Sequence, residues 1–157
     1  MATDQVSIKG RLQTDLTASM KARDELTTST IRMLRAAIMN AEVAGSTAIE
    51  LTDEQAIAVL QSEAKKRAEA AEVYEQAGRA ESAAKERAEL VVIERYLPAA
   101  MSDADLQTIV DEEIANAAAG GAEGQRAMGQ VIKAVRERAG ASADGSRIAA
   151  MVKLALA

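Results

Sequence analysis

The 157-residue chain contains no Phe, Trp, His or Cys, and its only aromatic side chains are Tyr74 and Tyr96. Apolar residues still make up 48% of it, and much of that share is alanine. Alanine is the strongest helix former and buries little area per side chain, so such a chain builds thin helices that pack closely. An all-α fold is therefore expected. The length suits one domain with a proper core or two small ones.

The same absences narrow the chemistry. Without His or Cys there is no Ser–His or Cys–His nucleophile pair, no zinc site of the usual nitrogen and sulfur type, and no thiol redox role. Carboxylates, Lys and Tyr remain as acids or bases, and a helical protein exposes many of these by default. Aromatic platforms for stacking single-stranded bases are missing as well. No apolar run approaches the roughly 20 residues needed to span a bilayer. Met1–Gly10 lacks a basic segment followed by an apolar one, as an export signal would have. The expectation is a cytoplasmic protein without membrane span, metal or cofactor.

Hydrophobic periodicity and caps predict seven helices. Ser7 caps a first helix to about Ala22, with Ile8, Leu12, Leu16 and Met20 as its apolar stripe. Asp24 caps a second, whose apolar face is Leu26, Met33, Leu34, Ala37, Ile38 and Ala41 and which stops at Gly45. Thr52 to Gln55 reads as a capping box opening a long third helix, through Ile57, Leu60, Ala64, Ala68, Ala71 and Tyr74 to Gly78. A fourth runs from Glu81 to Leu97, with Ala84, Leu90, Val91, Ile93, Glu94 and Leu97 inward. Pro98, the single proline, cannot continue a helix and marks the boundary between a four-helix domain (1–98) and a three-helix domain (99–157). Ser102 caps the fifth helix, with Leu106, Ile109, Val110, Ile114 and Ala117 on one face. A loop with three glycines (119–125) precedes the sixth, which carries Met128, Val131, Ile132 and Val135 and stops at Gly140. Asp144 caps the seventh, with Ile148, Val152, Leu154 and Leu156. A unit of this size made of Ala, Val and Ile has only marginal stability of its own.

Charge separates by sign in the last third. Ala99 to Glu123 holds six acids and no base, whereas Gly124 to Ala157 holds six bases against Glu137 and Asp144. A segment of about +4 thus sits in a chain of net charge −5. A local basic face on an acidic protein can touch a phosphate backbone without coating the molecule in nucleic acid. The plainer reading is a set of solvated helix faces.

Other constellations carry two readings each. Lys65-Lys66-Arg67 is either an anion patch or a solvent-facing run laced by Lys65–Glu69 pairs. Arg32 and Arg35 either flank an apolar groove or mark an ordinary amphipathic boundary. Glu112 and Glu113 point about 100° apart on a helix, which suits neither shared-proton nor metal chemistry. Glu86, Glu89 and Glu94 have no histidine to complete a ligand set. No GxxxxGK phosphate loop occurs. Gly129 costs about 1 kcal/mol inside a helix relative to alanine, so it serves the close approach of a packed helix or of an external ligand. Lys133 follows one turn later on the same face.

Arg32-Met33-Leu34, Glu63-Ala64-Lys65-Lys66-Arg67, Ala77-Gly78-Arg79, Tyr96-Leu97-Pro98, Met128-Gly129-Gln130-Val131 and Ala143-Asp144-Gly145 occur in an order and spacing that resembles the YqeY-like family of small bacterial proteins. The similarity runs from about Ser7 to the end. The family's C-terminal half resembles the tail of the B subunit of the tRNA-dependent Glu/Asp amidotransferase, which helps to hold tRNA. The active site of that subunit lies in a domain this chain lacks. The resemblance implies tRNA as a partner, alongside a tRNA-charging or amidotransferase enzyme. It implies RNA-binding roles for Gly129 and Lys133, with Arg136, Arg138, Arg147 and Lys153 as the surrounding basic set. The family usually shows Gly-Lys or Gly-Arg before Ala-Asp-Gly, and here Ala141-Ser142 stands in that place.

Three functions follow as expectations. The first is a non-catalytic, tRNA-associated accessory module reading shape and phosphates. The second is a carbon–nitrogen ligase activity with glutamine as amide donor, for which the chain shows no amidase signature, ATP loop or glutaminase cysteine. The third is a protein–protein adaptor.

Overall fold

The computed structural model describes residues 6–157 and is all-helical, with seven α-helices and no strand among those residues. The expectation about an export signal falls partly on residues 1–5, outside the described residues. Two compact units emerge, Met1–Leu97 and Pro98–Ala157. Among the described residues no helix is long and apolar enough to cross a membrane.

The first unit holds α1 (Ile8–Ala22), α2 (Glu25–Glu42), α3 (Asp53–Gln76) and α4 (Ala80–Glu94). Ser7 caps α1 by accepting from the Gly10 amide. The chain then turns sharply through Arg23 at φ 56, a left-handed conformation. Arg23 N donates to Met20 O and Asp24 N to Ser19 O, which satisfies carbonyls at the end of α1. Asp24 at once caps α2, its carboxylate accepting from Thr27 N at 3.0 Å. Both halves of the Thr52–Gln55 capping box are formed at the start of α3. α3 and α4 make a helical hairpin through Gly78, whose φ of 73 favours glycine.

Leu12, Ile31, Leu34, Leu60 and Ile93 are fully buried at the centre of this unit. Ala64 and Ala71 on α3 and Ala83 on α4 are buried too, so the hairpin closes on methyl groups. Tyr96 belongs to the core; burial, then its hydrogen bond to Asp15 Oδ2 (2.6 Å), push the phenol well above the usual tyrosine range. The Arg11 guanidinium lies 5.2 Å from its ring centroid.

Three expected faces need correction. Met20 is exposed and Ser19 is buried in its place. Four-residue steps drift about 40° each, which leaves Met20 about 120° from Ile8 while Ser19 returns to within about 20°. On α4, Ala84, Val91 and Glu94 face outward, and Ala83, Val92 and Ile93 face inward, with Tyr96 buried just past its end. Leu154, on the seventh helix, is 79% exposed, because it lies about 160° from the buried Val152. The second helix also ends at Glu42 rather than Gly45.

The α4 face was obscured because two of its inward positions carry charge. Glu86 and Glu89 lie one turn apart and meet Arg67 of α3. Arg67 Nε is 2.8 Å from Glu89 Oε2 and 3.6 Å from Glu86 Oε2, and Nη2 is 3.9 Å from Glu63 Oε2. Neither Arg67 Nε nor Glu86 Oε2 has a well-aligned hydrogen bond, so the attraction between them is coulombic. Lys66 takes up Glu63 at 2.6 Å, and Arg67 Nη2 also reaches Met33 Sδ of α2 at 3.2 Å. The run Lys65-Lys66-Arg67 therefore divides: Lys65 is a solvated charge and Arg67 is a half-buried clasp between α3 and α4.

The 43–51 connector is organised by Glu42. Its carboxylate accepts from Lys9 Nζ (2.7 Å) and Leu51 N (3.1 Å), and its carbonyl accepts from Ile49 N (2.9 Å). The bond from Lys9 and then that from Leu51 hold the Glu42 carboxyl below the usual glutamate range.

The second unit is a three-helix cluster of α5 (Asp103–Ala119), α6 (Met128–Ala139) and α7 (Gly145–Ala155). Leu106, Val110, Val131, Val135, Ile148 and Val152 form its buried centre. Short 3-10 turns at Gly124–Arg126 and Gly140–Ser142 enter and leave α6. Met101 N donates to Ser142 O at 2.7 Å, so the turn after α6 also fixes the start of this unit.

Two outcomes follow. Arg67→Ala, which leaves Glu86 and Glu89 without their cation while Glu63 keeps Lys66, is expected to lower stability by about 3 kcal/mol, read from the urea midpoint; Arg67→Met with Glu86→Gln and Glu89→Gln recovers much of it. Because the folded Glu42 pKa lies below its unfolded value, its stabilisation is complete above about pH 4.3 and is lost as pH falls through the folded value. Glu42→Gln should remove that part of the acid-side decline in Tm, and, because the same carboxylate is the main cause raising the Lys9 pKa, it should also flatten the alkaline-side loss that follows Lys9 deprotonation.

Candidate nucleic-acid interface

The six expected RNA-binding positions separate into two arginines engaged within the unit and four exposed positions. Arg138 points from α6 to α5, where Nη1 meets Glu113 Oε1 at 2.8 Å and Nη2 meets Glu112 Oε2 at 2.7 Å. The roughly 100° splay of adjacent helical residues, unsuited to a shared proton, fits the fork of one guanidinium. These bonds, that to Glu113 first, raise the Arg138 pKa further above its ordinary value. Arg147 of α7 closes on Asp103 at the start of α5, with Nε and Nη2 at 3.1 and 2.5 Å from Oδ1. The acidic α5 thus engages two of the arginines, and both act as staples within the unit.

Gly129, Lys133 and Arg136 lie within about 60° of arc on α6, opposite its buried Val131 and Val135. The Lys133 side chain is 80% exposed, with Glu137 4.0 Å away on the same helix. A Cβ at Gly129 would meet nothing within 4 Å, and the residue is exposed. Internal helix packing therefore does not explain this glycine. Gly145 does have a close neighbour, the flexible end of a side chain. A Cβ there would stand 2.7 Å from Arg136 Nη2, so the bare Cα lets the Arg136 side chain lie against the first residue of α7.

Lys153 is exposed on α7, about 120° around that helix from Arg147. Arg126 is exposed in the turn before α6. Neither they nor Arg136 has a carboxylate within 4.0 Å among the described residues. The first turn of α6 has no side-chain cap, so its amides present the positive end of the helix beside Gly129. In the first unit, Arg32 and Arg35 edge a cleft between α1 and α2. Among the described residues no group of three or more acidic side chains converges on a metal-sized site.

Sequence reasoning missed which bases were already engaged. The signal was present, since the acidic run of α5 and the basic run of α6 and α7 belong to helices that a short bundle must bring into contact. It also missed Arg67, whose clue was a pair of glutamates one turn apart on the face that the period assigns to the core.

The family model described as Yqey-like protein matches residues 9–156. Among curated relatives, the protein called Altered inheritance of mitochondria protein 41, mitochondrial, from Pyrenophora tritici-repentis, is 29% identical over 147 residues, covering 88% of this chain and 76% of that protein. With the family model matched across both helical units, this chain belongs to the YqeY-like family.

Proposed function

We propose that the chain is a non-catalytic accessory module of the cytoplasm that docks on folded RNA, tRNA foremost, through the outward stripe of α6. The observation that carries this reading is Gly129: an exposed glycine near the start of a helix, with no internal neighbour to require it, one turn before an exposed lysine. Bare backbone there admits a phosphate oxygen close to the amides of the first turn, and Lys133 and Arg136 add charge one and two turns on. Arg126 and Lys153 extend the field. Arg138 and Arg147 hold the three helices together beneath it, so the docking set is smaller than the local charge of the segment implies.

A surface of three or four engaged cations reads backbone and shape, not base edges. Affinity for tRNA should fall steeply with salt, with a log–log slope of about −3. Lys133→Glu with Arg136→Glu should weaken binding by about tenfold or more in a mobility-shift titration at low salt, and Lys65→Glu should leave it unchanged. Gly129→Ala separates the roles of that residue: it should raise thermal stability by up to about 1 kcal/mol through helix propensity while weakening tRNA binding. A protein that fails to shift tRNA at low salt would overturn the reading, and so would a Gly129→Ala variant that binds undiminished.

A further inference from the structure

On the first unit, α2 turns a stripe of Arg32, Arg35, Ala36, Met39 and Val43 to solvent. On one side of it lies the α1/α2 cleft, of about 420 Å³, with Leu12, Ile38 and Met39 among its lining residues. On the other lies a second groove of about 450 Å³ against α3, lined by Met33, Ala36 and Val59 among others. Ala36 borders both, so this part of α2 is a low ridge between two channels. Met39 is 59% exposed, and Val43 and Met20 are more than half exposed. Flexible methionines on an open apolar face suit a partner surface that must adapt.

The charges at the α1/α2 cleft decide what fits. Lys9 is spent on Glu42 and Glu50, and Glu42 is spent on Lys9 and the Leu51 amide. Arg32 touches only the Met20 sulfur, at 3.8 Å, and neither it nor Arg35 has a carboxylate within 4.0 Å among the described residues. Two unspent guanidiniums, three residues apart, thus stand over an aliphatic floor in a protein of net charge −5. Carboxylates one turn apart on a facing helix have the same spacing as Arg32 and Arg35, about 5–6 Å. The floor offers no aromatic ring for a base to stack on.

We infer that the α1/α2 cleft is a docking site for an acidic amphipathic helix of a partner protein. That helix seats one or two aliphatic side chains over Ala36 and Met39, above the buried Leu12 and Ile38, and sets carboxylates one turn apart on Arg32 and Arg35. The exposed stripe from Arg32 to Val43 is about 17 Å long, so three turns of partner helix cover it. This site is separate from the α6 stripe and uses none of its residues.

The probe is a capped, alanine-based, fluorescein-labelled helical peptide of about 16 residues, with leucine at every fourth position and glutamates flanking each leucine. Fluorescence anisotropy with the full chain should show saturable binding. Arg32→Glu with Arg35→Glu should weaken it about tenfold or more, and Met39→Asp comparably, with unchanged helical circular dichroism. The same peptide with serine for leucine should bind far more weakly, and the Lys133→Glu variant should bind the leucine peptide as the natural chain does. Absence of binding overturns the inference, as does equal binding of the serine peptide, which would make the contact charge alone. It is also overturned if Arg32→Glu with Arg35→Glu abolishes the tRNA shift, which makes the cleft an RNA surface, or dissolves a dimer in sedimentation, which makes it a self-contact.

Discussion

Helices lined with alanine approach closely but bury little apolar area, and that constraint governs both units. The first is closed by nine large aliphatic side chains (Ile8, Leu12, Leu16, Ile31, Leu34, Ile38, Leu60, Val92 and Ile93), the second by four valines, a leucine and an isoleucine. With so little apolar area, charge pairs at the helix edges take a structural role. Arg67 ties α3 to α4 through Glu86 and Glu89, and Arg138 ties α6 to α5 through Glu112 and Glu113. The two differ in kind. The Arg67 group is screened from water and costly to break singly, whereas the Arg138 fork is half exposed and worth less in energy than in alignment.

The second unit shows how a charge-segregated sequence becomes a less polarised surface. Six bases and six acids lie in adjacent stretches of chain, and folding sets some of each against the other. What survives is the exposed stripe of Gly129, Lys133 and Arg136 on α6, opposite its buried face, with Arg136 reaching over the start of α7. A guanidinium committed to two carboxylates cannot also neutralise a phosphate without giving up those bonds. The accessible field is therefore set by Lys133, Arg136, Arg126 and Lys153. Gly145 shapes it from beneath, because its missing side chain is where Arg136 rests.

Much of this was legible without coordinates. Ser7, Asp24, Thr52, Ser102 and Asp144 stand at cap positions in the sequence pattern, and each accepts from an amide in the first turn of its helix. These are local bonds within four residues, so sequence spacing alone specifies them. Helix faces were less secure. Ile8, Leu12 and Leu16 read correctly because apolar and buried coincide there. α4 did not, because its core-facing positions include Glu86 and Glu89, which are tolerated only through a cation on another helix.

The sequence by itself determined the all-helical class, the cap positions, the membership of most of the core and the location of the basic segment. These depend on backbone hydrogen bonding and on 3.6-residue periodicity, which act over a few residues. Tertiary structure alone decided which charges are spent and which are free, since a salt bridge between Arg67 and Glu89 or between Arg138 and Glu113 joins residues more than twenty positions apart. It also decided that a side chain at Gly145 would displace only the flexible end of Arg136, while one at Gly129 would meet nothing, because a missing Cβ has a purpose only in relation to whatever stands next to it.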